Sequence, residues 1–557
     1  MANPEIAEKF TRFKGKRALV MGLGLWQGGV EAVKFLHRWG ASQILVTDLR
    51  DEKTLAPSLE AIKDIPVTLR LGEHREADFA RAQVVIHSPA VRPDNKYLVA
   101  AREAGAEVTQ EMSLFIEACP AFTIGITGSN GKTTTTLLAY EMLCGIYERA
   151  QPELEGKWAD PVPNLPETGQ RVWLGGNVGT PLINRLEEIE KEDVVVLELS
   201  SFQLMDWHRI QKSCLFALIT NITANHLDWH KDFDEYVWAK SAIFRYQNEK
   251  ACHSCVVNAD DPVANAFREE FSRLYVYSIR GVPTEWIHSN AQLLSWGYEN
   301  GLYSDQGTSA LRWLAGERPP APEPKRSRSA EKLKKERTPK LPFGRKNHPG
   351  EQQVAEARPF CARADLRLPG DFNWSNLAGA WAVVQGLFVH GGFGTVIQSI
   401  RRFRGVEHRL EPCGSINGAR VYNDSIATDP AATLAALSAF DKCVHLILGG
   451  GSKNIDYTEL GKRIATHCGI KAIYLQGTTA PAIKAAIGAA SIPMHDCATF
   501  DEACERAFKA LTPGDVLLMS PASTSFYEYA PGKKFANFEE RGKHFKALVA
   551  RASRPVT

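Results

Sequence analysis

The run AFTIGITGSNGKTTTTLL at residues 121–138 constrains this chain more than any other stretch. Phe122, Thr123, Ile124 and Ile126 make an apolar, β-branched strand; a glycine-rich turn follows, and Lys132 then opens a helix-like continuation through LLAYEML. This layout is a phosphate cradle. Glycines let backbone N–H groups approach phosphate oxygens, the helix start favours negative charge, and a lysine reaches the terminal phosphates. The cradle residues are Gly128, Ser129, Asn130, Gly131 and Lys132, with the Thr133 hydroxyl placed for Mg²⁺ and Thr134 beside it. The longer P-loop pattern would need glycine at 126, where Ile126 stands, so the loop has the shorter form from Gly128 to Thr133. An ordinary glycine-rich strand-to-helix turn is the plainer alternative, but it has no need of a lysine and a hydroxyl at the helix start.

At 557 residues the chain exceeds a single hydrophobic core, so several domains are expected. A net charge of +2 creates no field suited to nucleic acid or a membrane surface. Cysteines are scattered without a disulfide rhythm, the opening MANPEIAEKFTRFKGKR is charged, and no apolar run reaches the length of a bilayer span. A cytoplasmic protein with reduced thiols is expected.

Residues 16–50 read as strand, glycine turn, amphipathic helix and second strand, the last ending at Asp48. This is the opening of a Rossmann-type unit, though Gln27 stands where the third glycine of the fingerprint belongs and Gly28 comes one residue late. The alternation continues to about residue 118. After the phosphate loop and a proline-rich stretch at 150–170, the strand VVVLEL leads to Glu198 and Ser200, and CLFALIT leads to Asn221 and His226. Both strand ends are expected at the carboxyl edge of a parallel sheet, beside the phosphate loop. From about 305 to 360 the chain turns proline-rich and basic, with few large apolar residues, and reads as a flexible insertion. Beyond about residue 405, strands and helices alternate in a further Rossmann-like unit.

Together these segments resemble the ATP-dependent Mur ligases over nearly the whole chain apart from the insertions. The resemblance is carried by GITGSNGKTTT, GGNVG, LELSSFQL, NITANHLDWH, YVWAKSAIF, NWSN, HRLE, NDSIAT, GGGSK and SPAS…NFEERG; LELSSFQL points to the glutamate-adding branch. It implies a three-domain α/β protein: a Rossmann-like UDP-binding domain over 1–118, a central P-loop ATPase domain with a parallel sheet over 119–404, and a Rossmann-like glutamate-binding domain over 405–557. It also implies the chemistry. A carboxylate of UDP-N-acetylmuramoyl-L-alanine takes the γ-phosphate of ATP to become an acyl phosphate, which the amine of glutamate displaces, with Mg²⁺ as cofactor. Peptidoglycan precursor synthesis follows, with domain closure before chemistry.

The resemblance assigns Lys132, His226 and Lys240 to catalysis and Thr133, Glu198, His226 and Lys240 to Mg²⁺, with Lys240 acting as a carbamate. Taken alone, a lysine in that helix would be a solvated surface charge. ATP would meet Asn373, Asn376, Arg409 and Asp424 besides the cradle. The UDP substrate would meet Leu25, Trp26, Asp48, Arg50, Ser88, Asn177 and Ser200; glutamate would meet Thr428, Lys453, Ser525 and Phe538. Four departures from the family pattern stand out: Trp26 for a smaller residue, Phe372 for a histidine, Ile426 for a lysine, and the extra residues YEYAPG after Ser525. Ile426 and the extra residues lie on the glutamate side and leave D- against L-glutamate open. A sibling ligase and a non-catalytic nucleotide-binding regulator are the rivals; an NAD-dependent oxidoreductase fails on the spoiled fingerprint. Only small-molecule partners and a monomer are expected.

Overall fold

The computed structural model describes residues 4–25, 27–147, 170–247, 254–267, 274–280, 292–298, 301–304, 361–387, 393–452, 455–530 and 532–553. The proline-rich stretches expected at 150–170 (all but its last residue) and at 305–360 lie outside the described residues, as do Trp26 and Lys453. The chain divides into two compact units, Met1–Glu155 with Val162–Arg363 and Ser375–Ser399, and Ala364–Trp374 with Ile400–Thr557 and Gly156–Pro161.

The first unit holds two sheets. The first runs β3-β2-β1-β4-β5, all parallel, from β1 (Arg17–Met21), β2 (Gln43–Asp48), β3 (Thr68–Leu71), β4 (Val84–His87) and β5 (Glu107–Thr109). Successive strands step away from β1 on one side and then return to its other side. The turns after β1 and β4 therefore flank the switch point where ligands enter such sheets. The helix Gly28–Arg38 follows the first turn. The sequence suggested Gly28 as the displaced third glycine, but a Cβ there would meet nothing within 4 Å, whereas a Cβ on Gly29 would fall 2.3 Å from Leu23 O. Gly29 is the residue that lets the helix approach the turn.

The second sheet has nine strands, ordered β14-β13-β12-β11-β10-β9-β6-β8-β7. These are β6 (Phe122–Thr127), β7 (Val172–Gly176), β8 (Val194–Glu198), β9 (Phe216–Ile219), β10 (Ser254–Asn258), β11 (Leu274–Ser278), β12 (Gln292–Tyr298), β13 (Gly301–Ser304) and β14 (Cys361–Ala362). Strands β6 to β12 pair in parallel, while β13 and β14 close the sheet antiparallel. The central strands β6, β8 and β9 are apolar and almost wholly buried, as a sheet covered on both faces requires. One apolar core joins the two sheets, from Val20 and Phe35 through Phe115 to Trp173, Val195 and Ile243.

Besides a short antiparallel pair, Glu528–Ala530 with Lys533–Lys534, the second unit holds a six-stranded sheet, β15-β16-β20-β17-β18-β19, from β15 (Glu411–Ile416), β16 (Ala419–Asn423), β17 (Val444–Leu448), β18 (Ile470–Leu475), β19 (Met494–Asp496) and β20 (Val516–Met519). Within that sheet only β15 runs antiparallel. Alternation along β17 sends Leu446 and Leu448 to one core face and Ile447 to the other.

Candidate active site

The strand order β9-β6-β8-β7 puts four carboxyl ends side by side: the phosphate loop after β6, Glu198 closing β8, the Asn221 turn after β9, and Asn177 after β7. The phosphate loop is clamped to the Asn221 turn. Ser129 N donates to Asn221 O at 2.8 Å, Asn130 N to Asn221 Oδ1 at 2.9 Å, and Ser129 Oγ to Thr223 O at 2.8 Å. Gly128 adopts φ +152°, and a Cβ on it would overlap Thr220 Oγ1. Lys132 Nζ folds back onto Gly128 O at 3.1 Å and Ser129 O at 3.0 Å. Thr133 is half-buried and Thr134 buried at the start of helix Lys132–Tyr147. Thr135 Oγ1 donates to Asn376 Oδ1 at 3.3 Å, so Asn376 does reach the loop, from 241 residues away in sequence. Asn373 lies one helical turn earlier, with its Nδ2 donating to Pro369 O at 2.7 Å.

Lys240 is 1 % exposed, not a surface charge. Its Nζ donates to Gly128 O at 2.8 Å and Thr127 Oγ1 at 3.4 Å, and lies 4.6 Å from the Tyr236 ring centroid. Burial, reinforced by the nearby Lys132 ammonium, pulls the Lys240 amine well below its usual range, while Glu198 opposes this. Glu198 is itself buried; Asn177 Nδ2 donates to its Oε1 at 3.2 Å, and Oε2 has no hydrogen-bond partner among the described residues. Burial and then the charges of Lys132 and Lys240 lower the pKa of His226, favouring neutral imidazole. His226 adopts φ +55°, a left-handed conformation that costs on the order of 1 kcal/mol outside glycine and persists only where neighbours impose it.

Sequence reasoning missed two supports here. Tyr236 Oη lies 2.9 Å from Ser129 Oγ, and Asn177 orients Glu198 where only a substrate contact was expected. The spacing held a clue for the first: Tyr236 stands four residues before Lys240 on one helix face. Ser200, also expected at the substrate, caps helix Ser201–Ile210 through a capping box with Gln203.

In the first sheet, Asp48 closes β2 and accepts hydrogen bonds from Gly24 N at 3.0 Å and Arg50 N at 2.9 Å, which fixes the turn after β1. Leu25 and Arg50 are exposed at this edge, and Ser88 N is tied to Met21 O at 2.9 Å.

In the second unit, Asp424 is buried after β16, accepting from Leu410 N at 3.1 Å and Ser520 Oγ at 2.7 Å; burial pushes its carboxyl up to about 6. Arg409 and Thr428 are half-buried and Ser525 is buried. Phe538, half-buried, meets His408 edge-on at 6.2 Å. Arg541, fully buried, joins these loops: Nε donates to Ser425 Oγ at 3.0 Å, Nη2 to Ser425 O at 2.8 Å, and Nη1 to Ser523 O and Thr524 O, each at 3.1 Å.

Parallel sheets with a phosphate loop and an acidic strand end at one carboxyl edge define a nucleotide-binding α/β protein. Three family models fit the chain: the MurD-like N-terminal domain of Mur ligases over residues 16–110, the Mur ligase middle domain over 126–310, and the Mur ligase glutamate ligase domain over 408–523. The chain is 34% identical over 556 residues to the UDP-N-acetylmuramoylalanine--D-glutamate ligase of Acetivibrio thermocellus, covering 98% of this chain and 99% of that one. It is 34% identical over 544 residues to the protein of the same name from Roseiflexus, covering 96% and 98%. Among solved structures, UDP-N-acetylmuramate-alanine ligase from Thermotoga maritima shares the fold at TM-score 0.51 and 14% identity, covering 97% of this chain and 100% of that one. The chain belongs to the Mur ligase family.

Proposed function

We propose that this protein is an ATP-dependent ligase that adds D-glutamate to UDP-N-acetylmuramoyl-L-alanine, in the cytoplasm and as a monomer, in peptidoglycan precursor synthesis. The observation that carries this reading is the meeting of Lys132, Glu198, His226 and Lys240 at the phosphate loop, in a chain that matches relatives of that name end to end. The first domain, residues 1–118, would bind UDP at the turns after β1 and β4, through Leu25, Trp26, Asp48, Arg50 and Ser88. The central domain, 119–404, would hold ATP in the cradle from Gly128 to Thr134, with Asn376 beside it and Asn373 on the same helix. Asn177 and Ser200 would meet the muramoyl-alanine part. In the second unit, Thr428, Lys453, Ser525 and Phe538 would serve glutamate, and Arg409 and Asp424 the nucleotide.

The residues fit Mg²⁺. Among the described residues no three His, Cys, Asp or Glu side chains form a ready-made cage. A mixed set remains: the unpartnered Glu198 Oε2, the neutral His226 imidazole, the Thr133 hydroxyl, and Lys240 once it carries a carbamate. Burial keeps the Lys240 amine toward the neutral form that adds CO₂, and the carbamate replaces a cation, which cannot ligate a metal, with two oxygens. Mg²⁺ would neutralise charge on the transferring phosphoryl group. Lys132 would carry part of the same burden by leaving its two carbonyl partners for phosphate oxygens. The second sheet would hold the substrate carboxylate near the γ-phosphate; the carboxylate oxygen attacks the γ-phosphorus as ADP leaves, giving the acyl phosphate, and the neutral amine of glutamate then attacks the acyl carbon, loses a proton and expels phosphate.

Lys132→Ala is expected to fold with an unchanged circular dichroism spectrum and to lose at least about a thousandfold in turnover, the scale of a lost charge-stabilising group in phosphoryl transfer. Turnover close to wild type would remove the phosphate-loop assignment.

A further inference from the structure

The turn that carries His226 and the loop after β4 are joined by contacts that none of the roles above uses. Trp229 Nε1 donates to Ala90 O at 2.8 Å. From the same loop, the Arg92 guanidinium lies over the Trp229 ring, 5.2 Å from its centroid, donates through Nη1 to Trp229 O, and reaches Glu235 Oε2 at 3.3 Å. That Glu235 oxygen also accepts from Lys231 N at 2.8 Å and lies 3.5 Å from His230 Nδ1. His230 is buried, and its Nε2 lies 2.9 Å from Ser201 Oγ, at the start of the helix that follows Glu198. Trp229 N and His230 N both donate to His226 O, at 3.0 and 2.9 Å. The left-handed His226 is thus gripped through its own carbonyl by two residues. The side chain of one is held by the first sheet's loop, and that of the other by the helix after β8.

We propose that Arg92 is a positioning residue: it locks the His226 turn to the Ser88–Asn95 loop of the first domain, so that the metal-side histidine is set in place by the part of the chain that receives the UDP substrate. This rests on the proposed roles of Ser88 and His226. Arg92 acts through Trp229 and Glu235 and touches no reacting atom. A planar, stacked, forked cation suits the position; an ammonium would keep the charge but neither the stacking nor the fork.

The test uses the full chain. Arg92→Ala should lower kcat about tenfold and raise the Mg²⁺ concentration for half-maximal turnover severalfold, because a displaced ligand costs orientation, while KM for ATP moves less than about twofold. Independently of turnover, amide exchange with Mg²⁺ alone should quicken about tenfold or more across residues 225–235, with the strands of the first sheet unchanged. Arg92→Lys should fall between the two, and Trp229→Phe, which keeps a ring but loses the bond to Ala90, should shift exchange in the same direction. Asp94→Asn, which breaks only the exposed pair of Arg92 with Asp94, should leave both readouts at wild type. Unchanged exchange at 225–235 with unchanged Mg²⁺ dependence in Arg92→Ala overturns the proposal; so does faster exchange spread evenly over the first unit, which would make Arg92 a general brace. His226→Ala separates the two layers. Full turnover in that variant would sink the metal-side assignment, while the exchange experiment would still decide whether Arg92 locks the turn.

Discussion

Asp424, proposed above to serve the nucleotide, carries a cost to the fold. It sits at the end of β16 with both oxygens engaged, and burial raises its carboxyl from 3.8 to about 6, against the pull of Ser520, Leu410 and the more distant Arg409 and Arg541. The folded protein binds this proton more tightly than the unfolded chain does, so the contribution of Asp424 to stability is most favourable below pH 3.8, declines as pH rises toward about 6, and stays lower above it. Asp424→Asn keeps an acceptor for Leu410 and offers a donor to Ser520 without the charge. It should raise the melting temperature at pH 7.5, through a stability gain on the order of 2 kcal/mol, flatten the slope between pH 4 and 6, and lower turnover. A melting temperature at or below wild type at pH 7.5 would mean that the buried charge is compensated. Lys240 makes a related point. Only the family resemblance, not its helical setting, marked it as more than a surface lysine, and it is one of the most enclosed charges in the chain.

At the scale of elements, the strands that build the site could be read directly. Phe122–Thr127, Val194–Glu198 and Phe216–Ile219 are short apolar runs; the first two end in a polar residue and the third is followed at once by Thr220 and Asn221, which a parallel sheet must deliver to its carboxyl edge. Their lateral order could not be read, because β6 lies between β8 and β9 through pairings 72 and 92 residues apart, which no local pattern encodes. Cross-domain contacts such as Trp229 to Ala90 were invisible for the same reason. The glycine after β1 was legible as a need but misplaced by one residue: the fingerprint position itself holds Gln27, Gly28 and Gly29 both follow it, and only packing tells the two apart. Gly29→Ala is therefore expected to destabilise the first unit by about 2–3 kcal/mol, since its Cβ meets fixed backbone, whereas Gly28→Ala should be near neutral or slightly stabilising. Urea midpoints measure both. Equal midpoints for the two variants would show that the helix can move away from the turn.

On the scale of the whole molecule, the family models match one to each of the N-terminal, middle and C-terminal regions, which hold the three larger sheets among the described residues. Residues 318–346 are basic and proline-rich and supply none of the chemistry assigned here. Removing them should leave kcat/KM within about twofold of the full chain, as expected for a segment of low apolar content that carries none of the proposed site residues. A large loss would assign the segment a part in catalysis or assembly. Ile426 in place of the family's lysine, and the added YEYAPG beyond Ser525, neighbour the residues proposed above for glutamate, so the identity of the incoming amine is where the account is most exposed. The central claim is tested most directly by phosphate release from ATP and Mg²⁺ with UDP-N-acetylmuramoyl-L-alanine, comparing D-glutamate, L-glutamate and no amino acid. Release with D-glutamate alone is the expected result. Release with L-glutamate alone would keep the mechanism and change the product, and no release with any of the three would contradict the account.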